Sequence, residues 1–250
     1  MTWADALLLF GAGFVGGMLN TVAGGGTFIT FPALVFTGIP EVAANASATF
    51  AAMPGYLSGA LGFRREVLAF DRRQLLRLTG WMLVGSVIGS GLLIVSSNAA
   101  FRLIVPFLLL MATAVFLWGD RVRDFAARHS SGVTAFGVGT LLPVAIYGGY
   151  FNGGLGIVLL ALFSLWGMTN LHLMNGLKTW LSFALSAISA AVLAFGGLIW
   201  WGPALVMMVG NTAGGYLGAP LARRLPKGVL RALIAAVGFG MSALFFYRLL

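Results

Sequence analysis

The 250-residue chain has no cysteine and only six acidic side chains, and charged residues make up 8% of it, against roughly 25% in a soluble globular domain. Without cysteine there are no disulfides, no thiol catalysis and no thiolate metal site, and the redox compartment is unreadable. The six acids (Asp5, Glu41, Glu66, Asp71, Asp120 and Asp124) fall at segment ends or in connections. That placement argues against a carboxylate proton relay, and against a Schiff-base lysine with a carboxylate counter-ion. No Gly-x-x-x-x-Gly-Lys-Ser/Thr run occurs, so an ATP-driven pump in this chain is unsupported. No His/Asp/Glu cluster has metal-ligand spacing, and no nucleophile–base pair lies in the apolar segments, so neither an enzyme nor a cofactor is expected. The N-terminus, Met1-Thr2-Trp3-Ala4-Asp5, has no basic n-region, and no signal peptide is expected.

What the chain does contain is apolar length. It is 60% hydrophobic with 36 glycines, and its runs of about twenty apolar residues suit helices crossing ~30 Å of hydrocarbon. The expected fold is an all-α integral membrane protein of about eight hydrophobic segments. Spanning candidates are 42–63, 75–96, 101–118, 171–195, 201–222 and 229–247. Two longer stretches, 4–38 and 134–168, break at Gly24-Gly25-Gly26 and near Gly153-Gly154-Leu155-Gly156.

The net charge of +9 does not read as nucleic-acid binding, because the basic residues cluster in three connections rather than on one face. Those connections are 64–77, 119–133 and 223–231, and the positive-inside rule puts all three in the cytoplasm. Between the last two the chain must then cross an even number of times. Segments 171–195 and 201–222 supply two crossings, so 134–168 enters and leaves on the same side as a re-entrant hairpin of two half-helices, each ~12–17 residues long.

The first stretch resembles the second. Gly16-Gly17-Met18-Leu19-Asn20 matches Gly148-Gly149-Tyr150-Phe151-Asn152, with Asn45 on Asn175, Thr49 on Thr179, and Gly85 and Gly89 on Gly210 and Gly214. The domain expectation is therefore a first repeat at 1–118, a basic cytoplasmic connection at 119–133 and a second repeat at 134–250. Each repeat holds a hairpin plus three spans. That odd number inverts the halves, as in many secondary transporters, and puts both termini outside.

Within this frame Lys178 is the only charged side chain well inside an apolar segment. A cation there costs at least a few kcal/mol and suggests an anion site near mid-membrane. The half-helix starts near Gly26-Thr27 and Gly156-Ile157 would turn backbone N–H groups and positive dipole ends toward it. Asn20, Asn45, Asn152, Asn175, Thr49 and Thr179 could add neutral donors. Against this stand simpler roles: Lys178 snorkelling to the interface, polar side chains joining helices, and Gly210, Gly214 and Gly218 serving close packing.

The 16–62 stretch, with its three glycines before Thr27-Phe28-Ile29-Thr30-Phe31-Pro32-Ala33-Leu34, resembles the first half of the sulfite exporter TauE/SafE-like permeases. Gly-Gly-x-x-Asn-Gly-Gly-x-Gly at 148–156, then Asn175-Gly176-Leu177-Lys178-Thr179, resembles their second half, and 214–224 their seventh segment. The resemblance implies a bacterial inner-membrane permease exporting sulfite, organosulfonates or related organic anions; the expected partners are that substrate and the lipid bilayer, with a homo-oligomer left open. Asn45-Ala46-Ser47-Ala48-Thr49 lacks the lysine such permeases would carry in the first half. A passive anion channel and a non-transporting scaffold subunit remain the alternatives at this point.

Overall fold

A computed structural model of the protein describes residues 1–22, 24–118, 121, 124–125, 135–222 and 227–247. Among these, the elements are α1 (Trp3–Val22), α2 (Thr27–Phe36), α3 (Glu41–Gly62), α4 (Arg64–Ala69), α5 (Arg72–Val95), α6 (Asn98–Leu117), α7 (Val138–Tyr150), α8 (Leu155–Leu165), α9 (Leu171–Phe195), α10 (Trp201–Ala222) and α11 (Lys227–Tyr247). The described residues form helices and no strand. Most of the 119–133 connection, and Arg223 and Arg224 of the third basic cluster, lie outside the described residues.

Local chemistry starts the long helices where the polar residues stand. The Gln74 N–H donates to Asp71 Oδ1 (2.7 Å) at the head of α5, and Asn170 Oδ1 accepts from the N–H groups of His172 and Leu173 at the head of α9. The basic connection 64–77 is not bare loop. It holds α4, whose Val67 is buried while Arg64, Arg65 and Leu68 are exposed.

Both interrupted stretches break where expected. Gly24 and Gly154 take positive φ, +81° and +73°, a backbone state in which a glycine carries no Cβ penalty. The breaks leave α2, α7 and α8 with 10, 13 and 11 residues, about 15–20 Å each and too short to cross hydrocarbon alone. The first arm of the first pair is longer than expected. α1 has 20 residues, because no proline and no positive-φ residue interrupts the chain from Trp3 to Val22.

The helices α1, α5 and α9 are long and apolar enough to cross a membrane. Large apolar side chains such as Trp3, Phe36, Val95, Phe107 and Phe195 stand exposed around the molecule, as lipid-facing residues do and as a soluble surface rarely tolerates. α3 differs: residues 41–49 are all buried, and an alanine–glycine face runs its length.

Helix packing is reciprocal. α1 lies along α10 as α5 lies along α7; α3 meets α10 as α9 meets α5; α2 touches α11 as α8 touches α6; and α3 packs on α9, α6 on α11. Glycines carry the closest approaches. A Cβ at Gly210 or Gly214 would strike the Phe10 or Phe14 carbonyl, and one at Gly149 would stand 2.6 Å from the Ser86 carbonyl oxygen. The surroundings of Gly218 are outside the described side chains. Phe31, Phe101, Phe151 and Phe245 form one aromatic cluster, with ring centroids 5.9–6.3 Å apart, joining α2, α6, α11 and the turn before α8.

Candidate functional site

The two helix breaks meet. A Cβ on Gly24 would lie 2.7 Å from Gly156 Cα, and one on Gly156 would lie 2.8 Å from Gly24 Cα. Only glycine at both positions allows this approach. The contact places the start of α8 against the turn preceding α2.

Each turn is held by its own asparagine, in different ways. Asn20 Oδ1 accepts from the Gly26 N–H (2.8 Å), so this backbone donor is already engaged, while Asn20 Nδ2 is buried without a partner. Asn152, at φ +57°, donates from Nδ2 to Ser186 Oγ on α9 (3.1 Å), and its Oδ1 is unpartnered. The Tyr147 hydroxyl donates to the Gly153 carbonyl and braces the second turn. Thr27 is buried beside Tyr56 of α3, whose hydroxyl is also buried and reaches no partner at hydrogen-bond geometry.

Lys178 stands on α9 against this junction. Its stem packs on Gly156, where a Cβ would be 3.2 Å from Lys178 Cδ and 3.5 Å from Cγ. The residue is 1% exposed and its Nζ has no hydrogen-bond partner. No acid answers it among the described buried residues. The one buried carboxylate there, Glu41, pairs with Arg102 Nε at 2.9 Å. An ammonium enclosed without a counter-ion or acceptor is costly, and a bound anion would remove that cost.

The other expected site residues divide. Asn45 Nδ2 donates to the Tyr150 carbonyl (2.8 Å) at the end of α7, leaving Oδ1 unpartnered beside the second turn. Asn175 donates to the Leu171 carbonyl of its own helix, with a buried free Oδ1. The Thr179 hydroxyl donates back to Asn175 O and Gly176 O, and its methyl faces Gly59 of α3. Thr179 therefore fastens α9 to α3 and has no hydroxyl proton to spare.

Three polar residues of this region escape a reading of the sequence. Ser182, one turn beyond Lys178, has a buried unpartnered hydroxyl. Tyr56 does too. Asn211 of α10 is fully buried with both amide ends unpartnered. Its signal was an amide inside the run Gly210-Asn211-Thr212-Ala213-Gly214, which glycine spacing alone reads as packing. Nearby, a cavity of ≈ 410 Å³ opens between α1, α3 and α10, lined by Thr21, Ser58, Gly59, Leu61, Gly62, Phe63, Gly215 and Tyr216.

Comparison with known proteins is consistent along the whole chain. Residues 9–245 match the family model described as sulfite exporter TauE/SafE. A probable membrane transporter protein of Haemophilus influenzae is 32% identical over 241 residues, covering 96% of this chain and 94% of that one. Probable membrane transporter proteins of Sinorhizobium (ORF9) and Escherichia coli K12 (YfcA) are each 26% identical, over 94% and 96% of this chain and 89% of theirs. No solved structure gives a significant match.

Proposed function

The chain belongs to the sulfite exporter TauE/SafE family of multi-pass membrane transporters, and from that premise we propose that it carries small anions by alternating access at the junction of its two helix breaks. The observation that carries this reading is the buried, partnerless ammonium of Lys178 against Gly156. A single fixed charge, with one free amide donor at Asn20 Nδ2, while the free ends of Asn45 and Asn152 are acceptors, suits a small oxyanion. Sulfite, organosulfonates and related organic anions fit that description.

In this reading the halves 1–118 and 134–250 are inverted repeats, and α1–α2 and α7–α8 are re-entrant hairpins. The reciprocal packing supports it, since exchanging α1 with α7, α2 with α8, α3 with α9, α5 with α10 and α6 with α11 returns the main helix contacts, those of α4 and the small α3–α6 contact excepted. Such a pseudo-twofold arrangement lets one half rock against the other around a fixed midplane site. Basic residues on 64–77 put the α3–α4 end in the cytoplasm of a bacterial inner membrane, with both termini outside. The cavity beside Ser58 and Phe63 then faces the cytoplasm, and the Phe31–Phe101–Phe151–Phe245 cluster closes the outer side. That enclosure favours a carrier over a channel with a continuous pore.

The test is flux of sulfite, sulfate, sulfoacetate, taurine and short carboxylates in proteoliposomes, wild type against Lys178→Ala. Saturable flux of one anion class, lost in the variant, is the expected result. Flux that does not saturate at millimolar substrate would favour the channel. A folded Lys178→Ala that transports as well as wild type would reduce the lysine to a structural residue.

A further inference from the structure

Asn211 has no structural reason to be an asparagine. It is 0% exposed, and neither Oδ1 nor Nδ2 has a hydrogen-bond partner, although buried polar groups are almost always paired. A glycine lies near each amide end. A Cβ on Gly55 would stand 3.2 Å from Oδ1, and one on Gly16 3.8 Å from Nδ2. A residue needed only for helix packing would be apolar here.

The cavity gives the amide an address. Gly215, one turn along α10 from Asn211, lines the ≈ 410 Å³ space together with Ser58 and Thr21. A Cβ on Gly215 would lie 3.1 Å from Ser58 Oγ and 3.5 Å from Gly55 Cα. Asn211 is enclosed and does not itself line this cavity, but it sits a single turn, about 5.4 Å of rise, from Gly215 on the cavity wall. α3 also joins it to the lysine site: Gly55 meets Asn211, and Gly59, four residues on, meets Thr179 beside Lys178.

We propose that Asn211 is a substrate-binding residue beside this cavity. Its free donor and free acceptor together select anions that also carry a hydroxyl or amino group. Nδ2 donates to an oxyanion oxygen, and Oδ1 accepts from the substrate's O–H or N–H. An anion lacking that proton leaves Oδ1 unpaired, and such mismatches discriminate strongly at buried sites. The inference rests on the anion-transport reading above, and its test separates the two.

Flux is compared for 2-hydroxyethanesulfonate against ethanesulfonate, and for glycolate against acetate, in wild type, Asn211→Leu and Lys178→Ala. Wild type should favour the hydroxylated member of each pair by about tenfold, from one buried hydrogen bond made or left unmade. Asn211→Leu should lower flux of both members, since each loses the Nδ2 bond to its oxyanion, and should erase the preference between them; a wild-type preference in that variant overturns the proposal. Full flux in Lys178→Ala would remove the lysine site and leave Asn211 to stand on its own result. A second arm needs no substrate. Because the chain has no cysteine, Asn211→Cys can be probed with a membrane-impermeant thiol reagent from the cytoplasmic side, with Ser242→Cys, equally buried on α11, as control. Labelling at 211 and not at 242 supports a transport-path residue, even if none of the four anions moves. Equal reaction at the two positions, or none at either, refutes it.

Discussion

Gly24 and Gly156 touch backbone to backbone, each leaving less than 3 Å for a Cβ on the other. They come from turns more than 130 residues apart in the chain, and the stem of Lys178 packs on one of them, Gly156. Gly156→Ala would push its new carbon into Gly24 Cα at 2.8 Å and against Lys178 Cδ at 3.2 Å. Neither backbone can yield cheaply, so a loss of about 1–3 kcal/mol is expected from overpacking. Thermal unfolding in detergent should show a clear drop in Tm with flux lost. An unchanged Tm would mean that the two turns move apart freely.

Lys178→Met keeps the volume of the side chain and removes the enclosed charge. Replacing an unpaired buried ion by an apolar side chain should be neutral or stabilising by about 1–4 kcal/mol, while anion flux disappears. Stability and activity should therefore move in opposite directions. A less stable Lys178→Met would point to a partner for the ammonium.

Asn20→Ala removes the acceptor of the Gly26 N–H inside a closed turn. The freed donor costs about 1–3 kcal/mol, and the α1–α2 turn should exchange amide hydrogen faster. Hydrogen–deuterium exchange over residues 24–30 checks this. Asn20→Asp, which keeps an acceptor oxygen, should retain most of the protection at that amide.

Glu41 begins α3 in a buried position, held by Arg102 of α6, and Asn98 Oδ1 accepts from the adjoining Val42 N–H (3.1 Å). Arg102→Ala strands the carboxylate. The cost should approach about 2 kcal/mol, below the figure for a fully buried pair because Arg102 is 41% exposed. Arg102→Ala together with Glu41→Gln should recover part of it. A double variant as unstable as the single one would show that the loss came from packing.

Much of this was legible because charge is so scarce in the chain. One lysine in an apolar helix and two glycine-rich breaks stand out without any partner being known, and both lie where the sequence places them. What could not be read were the partners. Asn45 bonds the Tyr150 carbonyl 105 residues away, Ser86 meets Ser189 at 2.6 Å, and Asn152 reaches Ser186. Such pairs exist only once helices distant in sequence have packed. α4 was hidden for a different reason: six residues are too few to show a helical period against a run of arginines. Asn211 was masked by its glycines, whose spacing has a sufficient explanation in the α1–α10 contact.

α3 has a consequence for how the protein is made. Its first nine residues are all buried and include Glu41, Asn45, Ser47 and Thr49, and its neighbours α9 and α10 leave the ribosome long after it. When α3 first emerges, the surfaces that will enclose its polar face have not been synthesised. A helix this polar gains little from lipid alone, so its final position depends on segments translated more than 100 residues later. Chains truncated before α9 should therefore leave α3 loosely inserted and open to proteolysis, and the integrity of the first half should be decided by the completion of the second.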